Sequence, residues 1–227
     1  PVLNVAVASN FYSTLKKIAA QYQLETGEKL VLVQGASGKL FLQIKNGAPF
    51  DVFLAADTNY PAKLVKAGFG LKSDLYDYAK GRLVLWAPKA DISQHPIQYL
   101  QSSHYTHLAI ANPDLAPYGL AAKQALTALG LWKALLPKLV IGENIAQTAT
   151  FVRSGAAKVG IVGLASANDL KNTSQIWVIP SQDYQPILQQ ALILKQSKQH
   201  ASAKRFCQFL QTKRIKALIK RMGYDIP

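Results

Sequence analysis

The sequence predicts an α/β protein of two units, each a mostly parallel sheet flanked by helices. Three observations predict this. Short apolar runs alternate with segments of helical period along all 227 residues. The pattern restarts after Gly81. Four segments also end a predicted strand, turn through small or polar residues and open a helix: Val7-Ala8-Ser9-Asn10, Gly35-Ala36-Ser37-Gly38, Ala116-Pro117-Tyr118-Gly119 and Gly142-Glu143-Asn144-Ile145.

Taken in order, Val2 to Val7 reads as a buried strand. Phe11, Leu15, Ile18, Ala19 and Tyr22 recur at helical spacing, and Gly27 stops that helix. Leu30 to Val33 is a second strand, and Leu40, Phe41 and Ile44 mark a short helix after Ser37. Val52 to Ala55 is a third strand, and a helix from Pro61 to Ala67 stops at Gly68. Three strand–helix units in a row imply parallel pairing under helices.

In the second stretch, Leu83 to Trp86 is a strand and Pro88 to Thr106 is irregular. Leu108 to Ala111, Leu139 to Ile141 and Val159 to Val162 are strands. Helices follow them at about Gly119–Leu129, Ile145–Arg153 and Leu164–Leu170. Ile176 to Ile179 is a further strand. A last strand, about Ala191 to Leu194, leads into one long helix from Ala201 to Met222. The economical division is a discontinuous first domain, residues 1–81 plus 192–227, around a second domain, residues 82–191. Two chain crossings would form a hinge, with a ligand cleft between the domains.

Composition narrows the function. Hydrophobic residues are 49%, a globular value that argues against disorder. No apolar run reaches the roughly 18 residues that a membrane helix needs. No signal peptide is present, and a start at Pro1 just before a strand suggests a mature or trimmed form. The net charge of +14 would suit nucleic acid or an anionic ligand. The cations are scattered until the run from Lys204 to Arg221, and basic motifs with interleaved aromatics are missing, so nucleic acid is not the expected partner. The single Cys207 excludes an internal disulfide.

A helix N-terminus offers unpaired N–H groups and a partial positive charge. None of the four turns carries Lys or Arg, so together they suggest an oxyanion held by hydrogen bonds alone. Each has an ordinary reading as well. Ser9, Asn10 and Ser37 are favoured N-cap types, Tyr118 could be a half-exposed turn residue, and Ile145 offers only its backbone N–H. Ser13 to Lys16 fits the S-x-x-K pattern, but its K-T-G companion is absent. His104 and His107 have a metal-like spacing without acidic or Cys partners nearby. Asp51 and Asp57 flank the third strand and are read as loop-organising residues. A hydrolase using Ser9 or Ser37 would need a base, and no His lies in any of the turns.

Several segments together resemble the periplasmic molybdate-binding proteins of ABC transporters. They are Val5 to Phe11, Gly35 to Gly38, Gln43 to Asp57, Arg82 to Trp86, Asn112-Pro113 with Ala116 to Gly119, and Met222-Gly223-Tyr224. The resemblance implies a type II periplasmic-binding fold and a non-enzymatic, monomeric protein without a cofactor. Such a protein would be exported by a signal peptide and serve a membrane permease. It implies a tetrahedral molybdate or tungstate held by Ser9 and Ser37 from the first domain and by the N–H groups of Tyr118 and Ile145 from the second. Many members carry a Tyr donor where this chain has Gly163, and the Asn10 amide is the expected substitute, as in a sub-branch with Asn at that place. Sulfate, phosphate or another tetrahedral oxyanion is the alternative ligand.

Overall fold

The computed structural model describes residues 2–167 and 173–227. The chain forms two units, residues 1–80 with 188–227 and residues 81–187.

In the first unit, β1 (Val2–Ala8) runs through a 3-10 turn (Ser9–Phe11) into α1 (Tyr12–Thr26). Gly27 closes that helix in the left-handed conformation (φ 74°), which a residue without a Cβ adopts freely. Next come β2 (Lys29–Gly35), α2 (Ser37–Lys45), β3 (Val52–Leu54), α3 (Asn59–Lys66) and β4 (Tyr76–Gly81).

The second unit holds β5 (Leu83–Trp86), α4 (Pro96–Leu100), β6 (Leu108–Ala111), α5 (Pro117–Ala128), α6 (Trp132–Leu135) and β7 (Leu139–Gly142). It continues with α7 (Ile145–Ser154), β8 (Val159–Gly163) and β9 (Ile176–Val178). The chain re-enters the first unit along β10 (Ile187–Ile193) and ends with α8 (His200–Leu210) and α9 (Lys213–Arg221).

The two sheets have one plan. Their strand orders are β2-β1-β3-β10-β4 and β7-β6-β8-β5-β9. β1 pairs in parallel with β2 and β3, and β6 does so with β7 and β8. The fourth strand reverses direction in each: β10 is antiparallel to β3, and β5 is antiparallel to β8 and β9. Each expected mostly parallel sheet is therefore mixed, because the strand beside the parallel trio enters from the far side of a chain crossing.

Four further details differ from the sequence reading. The helix α4 lies within the stretch from Pro88 to Thr106 that was read as irregular. β4 was not expected, because Tyr76-Asp77-Tyr78-Ala79-Lys80 alternates without a purely apolar face. After β8 the described residues form only a 3-10 turn (Leu164–Ser166), and the remainder of the helix expected to Leu170 lies outside the described residues. The long C-terminal helix is two helices. Their buried residues are Phe206 and Leu210 in α8, then Ile215 and Ile219 in α9. The step of five from Leu210 to Ile215 is out of phase with a continuous 3.6-residue stripe, so the chain breaks at Thr212 (ψ 149°). The Thr212 hydroxyl there donates to the carbonyl of Phe209 at 2.8 Å.

Ala6, Phe53 and Leu192 of the sheet pack with Leu40, Ile44 and Leu64 of α2 and α3, all fully or almost fully buried. That burial anchors the start of α2 against the sheet, each side chain contributing roughly 1.5–3 kcal/mol. α8 is fixed by a buried carboxylate, Glu28. It pairs with Arg205 and accepts from the hydroxyls of Tyr22 (2.7 Å) and Ser202 (3.3 Å). Burial alone would raise the Glu28 pKa, but Arg205 and the two hydroxyls outweigh it and hold the carboxyl below its ordinary value. Charge is unevenly shared. The first unit has 18 Lys and Arg against 7 Asp and Glu, and the second has 8 against 5.

Candidate functional site

The first unit places two of the four turns side by side. Parallel pairing aligns Ala8 with Gly35, so the turns that follow β1 and β2 leave the same end of the sheet next to each other. Ligands of open α/β sheets lie beyond such carboxyl ends. Ser9, Asn10 and Ser37 are all buried there.

Ser37 is not an N-cap. The cap of α2 is Ala36, in extended conformation and without a side-chain cap, and Ser37 is the first helical residue. Its side chain, 1% exposed, accepts a hydrogen bond from the N–H of Ala56 at 2.9 Å. A hydroxyl that accepts on one side still has its own proton to donate. The arrangement thus directs the Ser37 oxygen as acceptor into the fold and leaves the O–H as a donor at an uncapped helix start.

Asn10 is held on two sides. Its Nδ2 donates to Gln189 Oε1 at 3.1 Å. The Tyr224 hydroxyl lies 2.9 Å from Asn10 Oδ1 and 2.8 Å from its carbonyl oxygen. Tyr78 donates to the carbonyl of Ala55 at 2.9 Å and stands 3.4 Å from the same Gln189 oxygen. Phe11 meets the rings of Tyr78 and Tyr224 edge-on, with centroids 4.8 and 5.4 Å apart.

Asp57 follows Ala56 by one residue. Its carboxylate accepts from the Tyr60 N–H at 3.2 Å and starts α3. Burial pushes its pKa up to about 6, against the opposing pull of that N–H and of Lys63.

The second unit repeats the plan at β6 and β7, where Ala111 is aligned with Gly142 and the Asn112 N–H bonds the Gly142 carbonyl at 2.9 Å. α5 starts at Pro117 after Ala116, again without a side-chain cap, and Tyr118 follows in its first turn. Any Cβ on Gly119 would come 2.2 Å from the Ala111 carbonyl oxygen, so only glycine lets this helix start approach the strand end. α7 differs. Asn144 caps it by accepting from the Gln147 N–H at 2.9 Å, and Gln147 Oε1 accepts from the Glu143 N–H at 2.7 Å. That reciprocal cap uses two N–H groups of the turn, and neither of them is the Ile145 N–H.

Gly163, at the end of β8, faces Tyr118. A Cβ there would meet the Tyr118 ring at 2.7 Å. The Tyr118 side chain, 2% exposed, occupies the space that a side chain at 163 would need. A phenol at 163 is therefore incompatible with this position of the Tyr118 ring.

The other residues singled out in the sequence have local roles. Asp51 accepts from the Asn4 N–H at 2.8 Å and the Ser197 hydroxyl at 2.6 Å. Ser13 is exposed, and Lys16 lies over the Tyr12 ring. His104 stacks on Tyr99. Cys207 is buried, which pushes its thiol up to about 12. No group of three or more His, Cys, Asp or Glu among the described residues is arranged to hold a metal ion.

The sequence reading assigned no role to Gln189 or Tyr224. Gln189 did carry a signal. In Ile187-Leu188-Gln189-Gln190-Ala191, alternation puts residue 189 on the same face as Ile187 and Ala191, an amide among apolar neighbours.

Comparison with known proteins supplies the family. Residues 3–225 match the family described as bacterial extracellular solute-binding protein. The chain is 41% identical to the molybdate-binding protein ModA of Azotobacter vinelandii over 99% of its own length and 90% of that protein's. It is 37% identical to ModA of Rhodobacter capsulatus, covering 96% of this chain and 86% of that one. Among solved structures, the periplasmic molybdate-binding protein of A. vinelandii superposes with a TM-score of 0.93 at 38% identity, with 99% of each chain covered.

Proposed function

The chain belongs to the bacterial extracellular solute-binding proteins, and from that premise we propose that it captures molybdate outside the cytoplasm and delivers it to an ABC transporter permease. Tungstate, the same shape and charge, is the second ligand in this reading. The protein acts as an exported monomer and catalyses no reaction. Nucleic acid is not its partner.

The observation that carries the reading is the Ser37 hydroxyl, whose oxygen is occupied by the Ala56 N–H at an uncapped helix start. Such a hydroxyl is a ready donor, as a fully deprotonated oxyanion requires. Ser9, Asn10 and Ser37 supply donors from the first unit, and the N–H groups of Tyr118 and Ile145 supply them from the second. Burying a dianion without partners would cost tens of kcal/mol. Hydrogen bonds to a charged group contribute about 1.5–3 kcal/mol each, and a helix start adds about 0.3–1 kcal/mol, up to about 2 when partly buried. A fixed counter-charge in the turns would slow release, which is unsuited to delivery. The cation excess of the first unit instead acts at a distance, favouring approach of an anion.

Calorimetric titration and thermal melting with molybdate, tungstate, sulfate and phosphate test the assignment. Molybdate and tungstate raise the melting temperature, and sulfate and phosphate do not. Equal stabilisation by sulfate would refute it.

A further inference from the structure

The cations of the first unit are concentrated in three helices. Half of its 18 Lys and Arg lie in α1, α8 and α9, and those helices contain one acidic residue, Glu25. Two contacts fix how α1 and α9 lie. Lys17 Nζ donates to Met222 Sδ at 3.7 Å, and Arg214 pairs with Glu25 at 2.7 Å. The contacts run in opposite chain directions along the two segments, so α1 and α9 are antiparallel neighbours. Lys16 and Lys17 on α1, and Lys213, Lys220 and Arg221 on α9, are exposed. Only Arg214 and Arg205 of these three helices have ion-pair partners, Glu25 and Glu28, among the described residues. Lys213 and Lys216, and Lys216 and Lys220, stand one helical turn apart, a spacing at which like charges repel. The face is therefore an uncompensated array that suits a dense anionic surface.

The composition of the face selects the kind of surface. Docking on a specific protein patch uses buried aromatic anchors. α9 has no aromatic residue, and Tyr12 and Tyr22 of α1 are half-buried and buried. The apolar stripe of α9 is already spent on the fold, since Ile215 and Ile219 are buried. The face thus has charge to offer and no apolar wedge. A fluid bilayer meets that need, because its anionic headgroups can gather under a fixed pattern of cations.

We infer that the α1–α9 face docks on a membrane surface rich in anionic phospholipid. Each Lys or Arg brought to such a surface strengthens binding about fivefold, and salt shortens the reach of the attraction. In the proposed delivery role, a carrier held at the bilayer searches for its permease in two dimensions. The inference rests on that reading only for this use, because docking is measured without molybdate.

The experiment is co-sedimentation with vesicles of mixed phosphatidylglycerol and phosphatidylcholine, and with vesicles of phosphatidylcholine alone. One variant carries Lys16→Gln, Lys17→Gln, Lys220→Gln and Arg221→Gln. A control carries Lys39→Gln, Lys45→Gln, Lys63→Gln and Lys66→Gln, an equal loss of charge on α2 and α3. Successive crossovers from β1 to β2 and from β2 to β3 move in opposite directions across the sheet, so α2 lies on the other face from α1. All eight residues are exposed, and thermal melting checks that both variants fold. The parent chain binds the phosphatidylglycerol vesicles at about 0.1 M salt and releases them at about 1 M, where the Debye length falls from about 10 Å to about 3 Å. It does not bind phosphatidylcholine alone. The face variant binds at least about tenfold more weakly than the parent, and the control stays within about threefold of it. Absence of parent binding to the anionic vesicles overturns the inference in favour of an acidic protein partner. Equal losses in the two variants overturn it as well, because net charge and not this face would then be responsible. Should the face variant not fold, Lys213→Gln with Lys216→Gln carries the same test.

Discussion

Replacing Ser37 by Ala perturbs two hydrogen bonds that report on different things. One is the bond in which Ser37 Oγ accepts from the Ala56 N–H at 2.9 Å. Its loss leaves a buried backbone donor without that partner, a cost of about 1–3 kcal/mol in folding stability. The other is the proposed donation of the Ser37 O–H to the oxyanion. Loss of a hydrogen bond to a charged group weakens binding by about 1.5–3 kcal/mol, roughly ten- to 150-fold in Kd. Chemical denaturation without ligand reads the first effect, and calorimetric titration with molybdate reads the second. Both are expected to fall in Ser37→Ala. Ser37→Gly removes the same oxygen and should lose the same affinity, with extra instability from the added backbone freedom. A variant that is destabilised yet binds molybdate as tightly as before would refute the reasoning, because Ser37 would then serve only the Ala56 amide.

Two further expectations concern the same ends of the sheets. Asp57 has a folded pKa of about 6, above that of an unfolded aspartate near 3.9, so the fold favours its neutral form. Its contribution to stability is greatest below pH 4, declines as pH rises through 6, and is then constant. Asp57→Asn keeps an oxygen for the Tyr60 N–H and should be more stable than the parent by about 1–3 kcal/mol at pH 7.5, the gain vanishing at pH 4 in denaturation series. An unchanged difference across that range would remove Asp57 as the titrating group. Gly163→Ala forces a methyl to 2.7 Å from the Tyr118 ring and should cost about 1–3 kcal/mol, largely recovered when Tyr118→Ala is added. A fully stable Gly163→Ala single variant would show that the ring moves aside freely.

The strand–helix alternation was legible because buried parallel strands are short apolar runs and their covering helices keep a 3.6-residue stripe. β1 and β6 were read this way, and the four small-residue turns follow β1, β2, β6 and β7. β4 was not legible, since Tyr76 to Lys80 mixes polar and apolar residues and takes its place beside β10, a neighbour more than a hundred residues away in sequence. The break at Thr212 was visible in principle, in the five-residue step between Leu210 and Ile215. Which residues surround the candidate site was hardest to see. Gln189 and Tyr224 reach Asn10 across 179 and 214 residues of chain, and no local pattern reports a contact of that range.

The position of β10 also governs how the molecule comes to be folded. This strand lies inside the first sheet, between β3 and β4, yet its residues leave the ribosome after the whole of the intervening unit. Residues 81–187 are contiguous and can complete their own sheet early, whereas the sheet begun at Val2 stays open until the last forty residues arrive. Closing so long a loop is entropically slow. For a chain exported as proposed, that delay keeps the leading segment, whose sheet is unfinished, threadable until its tail has been made.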